Sequence, residues 1–91
     1  MTDRFERAIA NLHGCRFGLF CNSGTSALHI ALAAVKEREG WQDGDEVLVP
    51  AVTFIATSNV VLHNRLQPVF VDVEPDHYCL DPHDLERHLT P

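Results

Sequence analysis

The junction at residues 17–32 constrains this chain more than any other stretch. A short apolar run, Phe17 to Cys21, reads as a buried strand. It ends in a polar cluster, Asn22-Ser23-Gly24-Thr25-Ser26, and passes at once into an Ala/Leu-rich segment of helical character. A strand that turns directly into a helix aims the helix's first free N–H groups, the neighbouring hydroxyls and the positive end of the helix dipole at one point. That arrangement suits a phosphate. The plain alternative is that Ser and Thr here only cap the helix.

Helical and extended signals alternate along the rest of the chain. Phe5, Ala8, Ile9 and Leu12 fall on one side of a short amphipathic helix over 3–12, which His13-Gly14 ends. A first strand over 16–21 precedes a helix from about Gly24 to Glu39, stopped by Gly40. The early turns of this helix are almost wholly apolar, so it is expected to be covered on most of its circumference. Asp43-Gly44-Asp45 is a turn. A second strand covers Glu46 to Val49, and a helix follows over 53–63 with Thr53 as its N-cap. A third strand covers 68–73. After the turn Glu74-Pro75-Asp76, a last helix spans 82–89, with Asp81 at its N-cap, Pro82 at N1 and Asp84 in its first turn. The expected fold class is therefore α/β, with three mainly parallel strands alternating with helices in a single unit over 1–91.

Composition excludes several classes of function. The 91 residues carry a formal charge of −6, which disfavours nucleic acid and anionic membrane surfaces as partners. No run is long enough to span a bilayer, and the N-terminus lacks the apolar core of a signal peptide, so cytoplasm is the expected location. Cys15, Cys21 and Cys79 are odd in number and match no ligand spacing; they are read as free thiols, Cys21 as a small core residue. The six histidines form no recognisable metal-ligand pair, and His83 and His88 are read as solvated.

Ligands of open α/β sheets sit beyond the carboxyl ends of the strands. Gly24, Thr25 and Ser26 lie at the first such end, where Gly24 permits close backbone approach and Thr25 and Ser26 offer hydroxyls. Phe54 follows the second. It reads either as a core residue or as a flat platform at the mouth of the sheet, able to stack on a planar heterocycle. Cradle and platform together suggest a phosphorylated aromatic cofactor.

The succession N-S-G-T-S-A-L, G-D-E-V-L-V-P-A-V-T-F-I-A-T-S-N, P-V-F-V-D-V-E-P and L-D-P resembles the opening of the DegT/DnrJ/EryC1/StrS family of sugar aminotransferases, over almost the whole chain. The resemblance implies the N-terminal part of the large domain of a fold-type-I transferase dependent on pyridoxal 5'-phosphate. It implies that Gly24, Thr25 and Ser26 hold the cofactor's phosphate, that Phe54 stacks on its ring, and that Asp72 is structural. The intact enzyme would be a homodimer that moves an amino group from an amino-acid donor, glutamate or glutamine, to a keto group on a nucleotide-linked sugar. Relatives with histidine in place of the Schiff-base lysine carry out dehydration instead. Arg65 stands where members commonly have glycine, so a different loop course is expected there.

The resemblance also places the Schiff-base lysine and the aspartate that faces the pyridine nitrogen beyond position 91. The single lysine, Lys36, follows Thr25 by eleven residues on the same helix. At ~1.5 Å of rise per residue it lies about 16 Å from the phosphate end and cannot reach the cofactor's aldehyde. A chain of these residues alone is expected to be catalytically inactive. In the family's fold the first strand does not lie beside the second, so it is expected to lack neighbours here and to leave apolar surface exposed. The competing readings are a non-catalytic module that retains a phosphate-bearing ligand, and an inert truncation product.

Overall fold

The computed structural model describes residues 1–91. Six elements follow one another: α1 (Thr2–Leu12), α2 (Gly24–Glu39), β1 (Glu46–Pro50), α3 (Ala56–His63), β2 (Gln67–Val71) and α4 (Pro82–His88). None of the helices is long and apolar enough to cross a membrane.

The architecture is α/β, with β1 and β2 paired in parallel from Glu46 opposite Gln67 to Pro50 opposite Val71. Parallel neighbours need a crossover, which α3 supplies. The core lies where these elements meet. Val49, Val61 and Leu66 form its centre, with Leu32 of α2 and Val47 packed against them. Asn64 is the one buried polar residue, and its side-chain NH2 and main-chain carbonyl are both bonded. Its Nδ2 donates to the carbonyls of Val60 (2.8 Å) and His29 (3.3 Å), and its own carbonyl accepts from Lys36 Nζ at 2.8 Å. Lys36 also forms an ion pair with Asp43. These bonds tie the far end of α2 to the turn between α3 and β2. The satisfied polar groups cost little to bury, whereas an unpartnered amide there would be expensive.

The helix α2 has the boundaries expected of it. Ser23 is extended (φ −160°, ψ 160°) and caps it, while Gly40 ends it in the left-handed conformation at φ 69°. The expected cover is absent, however. No residue of α2 is fully buried, and Leu28 and Ile30 are about half exposed. The helix packs chiefly against α3, with Leu32 reaching the core, and much of its remaining apolar surface faces outward.

The expected first strand does not form, and the sheet has two strands rather than three. A strand requires a partner to accept and donate its ladder bonds, and residues 16–21 have none. They lie instead across α1. The Phe20 amide donates to Glu6 Oε1 at 2.8 Å, and the Phe5 and Phe20 rings meet edge to face at 5.7 Å. Gly18 passes so close to α1 that a Cβ built on it would sit 2.6 Å from the Glu6 carbonyl oxygen. Phe17, Leu19 and Phe20 stay exposed, and Cys21 is only half-buried rather than a core residue.

Smaller corrections concern helix and strand ends. Helix α3 begins at Ala56, not Thr53, and no side chain caps it. Strand β2 stops at Val71; Val73 bridges antiparallel to Leu80. Helix α4 ends at His88, with Asp81 capping it by accepting from the His83 amide. Arg65 adopts φ 59°, so the loop keeps the glycine-like conformation rather than taking another course. Holding a non-glycine residue there costs about 1–2 kcal/mol. The Arg65 carbonyl accepts from the Gly44 amide at 2.8 Å, which anchors the turn in this geometry.

Candidate functional site

The junction before α2 and the loop before α3 converge on one cavity. It has a volume of about 680 Å³, and its lining includes Gly24, Thr25, Leu28, Phe54 and Thr57. Three of the four residues expected from the sequence thus meet at one place. Ser26 does not line it.

The donors there differ in availability. The amides of Gly24 and Thr25 have no hydrogen-bond partner within the chain, as expected of the first turn of a helix. The Ser26 amide is already taken, donating to Ser23 Oγ at 3.1 Å. The Ser26 hydroxyl donates to Asn22 Oδ1 at 2.7 Å and accepts from the Ser23 hydroxyl at 3.0 Å. Asn22, Ser23 and Ser26 therefore close a small ring of bonds that shapes the cap. Sequence reasoning missed this; only the i, i+3 and i, i+4 spacing of Ser23, Asn22 and Ser26 could have signalled it.

Gly24 bears on the fit of an anion. Its φ is not positive, and a Cβ added to it would meet nothing within 4 Å. Neither backbone conformation nor internal packing therefore requires a glycine. What its missing side chain leaves open is the approach to two free amides at the positive end of a helix dipole.

Phe54 is 74% exposed, which settles its two readings against a core role in this chain. The loop that carries it is fixed by hydrogen bonds. The hydroxyls of Thr53 and Thr57 share one at 3.0 Å, and the Thr57 amide donates to the Phe54 carbonyl at 3.0 Å. Thr57 also lines the cavity, a polar contributor not anticipated from sequence. Free amides on one side and an unpacked aromatic ring on another fit a phosphorylated aromatic ligand.

The remaining polar groups are structural. Lys36 lines a different cavity with Asp43 and Asn64, at the opposite end of α2. Its hydrogen bond holds the Asp43 carboxyl below its ordinary range. Asp72 Oδ1 accepts from the Val73 amide at 2.8 Å, in keeping with a structural role. Asp84 accepts the Asp72 amide at 2.8 Å, and that bond, helped by Arg87 and His88, lowers its carboxyl too. Partial desolvation pushes Glu74 upward, but the amides of Asp76, His77 and Cys79 outweigh it and the net shift is down. No three His, Cys, Asp or Glu side chains are grouped as metal ligands would be.

Comparison with known proteins places this geometry. The sequence pattern of the DegT/DnrJ/EryC1/StrS aminotransferase family matches residues 1–91. GDP-perosamine synthase of Caulobacter vibrioides is 44% identical over 96% of this chain, which spans 22% of that relative's length. Among solved structures, S. venezuelae DesV superposes with a TM-score of 0.82 at 34% identity, covering 99% of this chain and 23% of its own. The E. coli GDP-4-keto-6-deoxy-D-mannose-3-dehydratase with bound hydrated PLP gives 0.86 at 25% identity, covering 98% and 23%.

Proposed function

The chain belongs to the DegT/DnrJ/EryC1/StrS aminotransferase family, and from that membership we propose that it forms the phosphate-and-ring half of a pyridoxal 5'-phosphate site. The intact enzyme would aminate a keto group on a nucleotide-linked sugar, with an amino acid as donor. One observation carries the reading: Gly24, Thr25 and Phe54 line a single cavity.

Each residue has a separate task. The Gly24 and Thr25 amides bind the phosphate, with the dipole of α2 behind them. The Ser26 hydroxyl joins them once its proton turns from Asn22 Oδ1 toward the anion. Phe54 covers one face of the ring and keeps water from it. Bound cofactor supplies an electron-accepting ring that eases loss of the donor's α-proton. No residue described here takes that proton, because Lys36 is held by Asp43 and the Asn64 carbonyl at the other end of α2. The base and the group that protonates the pyridine nitrogen are assigned to residues outside 1–91 in the intact enzyme. Whether that enzyme aminates or dehydrates its sugar depends on the residue at the lysine position. The exposed Phe17, Leu19, Phe20, Leu28 and Ile30 support further protein packed around this chain, from the same enzyme or the second subunit of a homodimer. A cytoplasmic location suits these assignments.

The test is to titrate the protein with pyridoxal 5'-phosphate and treat one portion with borohydride. Reversible binding is expected, weakened about two- to twelvefold in Phe54→Ala by the loss of ~0.5–1.5 kcal/mol of stacking. Borohydride should fix no cofactor covalently. Fixation that disappears in Lys36→Met would overturn the assignment of Lys36 to structure.

A further inference from the structure

Phe54 must hold its ring at a fixed angle to act as a platform, yet at 74% exposure packing cannot hold it. Most aromatic side chains are oriented by neighbours pressed against them. Here the constraint has to come through the backbone. Thr57 supplies it twice. Its hydroxyl shares a hydrogen bond with the Thr53 hydroxyl, just before Phe54, and its amide takes the Phe54 carbonyl, both at 3.0 Å. The two bonds bracket Phe54 from both sides, and Thr57 is the second residue of α3, where the loop joins the helix. The same residue faces the cavity with Gly24 and Phe54.

We propose that Thr57 is a positioning residue for the aromatic platform, acting on the ligand's ring through Phe54. This rests on the proposed reading of the site. It goes further in naming what sets the ring's orientation, and it separates the two bonds by role. The amide bond belongs to the start of the helix and survives any residue but proline at 57. The hydroxyl bond exists only with Ser or Thr there. It fixes the Thr53 side of the loop, which no other side-chain bond in the structure restrains. Losing it leaves α3 intact but lets Phe54 sample several angles, so stacking is averaged away rather than removed.

The experiment compares Thr57→Val and Thr57→Ser with the unsubstituted protein, each with and without Phe54→Ala. Pyridoxal 5'-phosphate is the probe, and its induced circular dichroism and affinity are read together. Thr57→Val keeps the shape and removes the hydroxyl. It should weaken binding about threefold and diminish the induced dichroism, with far-ultraviolet dichroism and melting temperature unchanged. Thr57→Ser should restore both signals. In the Phe54→Ala background Thr57→Val should add nothing, because there is no ring left to position. Equal losses with and without Phe54 would overturn the proposal and make Thr57 a direct ligand contact or a purely structural residue. Unaltered binding and dichroism in Thr57→Val would also overturn it. If Phe54→Ala alone leaves binding unchanged, the platform reading itself fails and takes this one with it.

Discussion

Residues 46–71 and residues 2–21 are both rich in large apolar side chains, and they finish in opposite states. In the first, Val49, Val61, Leu66 and Val71 are buried, because two strands meet through a helix short enough to lie back across them. In the second, only Ala10 is buried, while Phe17, Leu19 and Leu12 face outward. The difference is not hydrophobicity. Strand β1 finds β2 one crossover away, whereas residues 16–21 meet nothing within the chain that can complete a ladder. They settle for one helix and a single aromatic contact. Apolar content creates the drive to bury surface, and the available partners decide whether that drive is met.

The largest expected contrast comes from truncating one side chain in each region. Leu66→Ala removes buried methyl groups from the core and should cost about 2–5 kcal/mol in urea denaturation. Leu19→Ala, at 69% exposure, should stay within ~0.5 kcal/mol. Similar losses at both sites would mean that residues 16–21 are packed after all. A sharper probe is Gly18→Ala. The new Cβ would collide with the Glu6 carbonyl, and part of α1 or the segment 16–21 must move, at about 1–3 kcal/mol. The effect should be local: faster amide exchange for Phe20 and α1, with protection over 46–71 unchanged. A global loss of protection would join the two regions into one cooperative unit.

The smallest effect concerns acid. Folded Glu74 and Asp84 have lowered carboxyl pKa values, so each is held as a carboxylate more strongly folded than unfolded. Their stabilisation is complete above the ordinary carboxylate range and fades as pH falls through the lowered folded values. Below about pH 4, the amide signals of Asp72, Asp76 and His77 should begin to shift while those of β1 and the core hold. Asp84→Asn should remove the pH dependence at Asp72. A core that loosens at the same pH as this corner would show that the corner is not independent.

These contrasts separate what could be read in the sequence from what could not. Helix α2 was legible to its last residue, because Ser23 and Gly40 are strong punctuation and act locally. The parallel pairing of β1 and β2 was legible from the helix between them. The strand at 16–21 was misread because its apolar run is genuine, but pairing is a property of two segments and periodicity describes only one. That Gly24, Thr25 and Phe54 come together at one cavity was legible, because each lies at a junction where an apolar run gives way to a helix. The bonds of Ser26 within the chain were not legible, since residue type does not say that its hydroxyl meets Asn22 and Ser23. Thr57 was invisible, for its role depends on a loop geometry that starts α3 three residues later than expected.

The parallel pairing carries a consequence for time as well as for shape. Each ladder partner in β1 lies roughly twenty residues from its mate in β2, whereas every bond within α3 spans only four. Helix turns form in under about a microsecond, while strands this far apart must first close a loop against chain entropy. The crossover should therefore be helical before the strands meet. Substitutions that weaken α3 would slow folding, and those in the ladder would mainly hasten unfolding. Pairing of the two strands across the crossover, rather than winding of α3, then sets the pace at which the sheet comes into being.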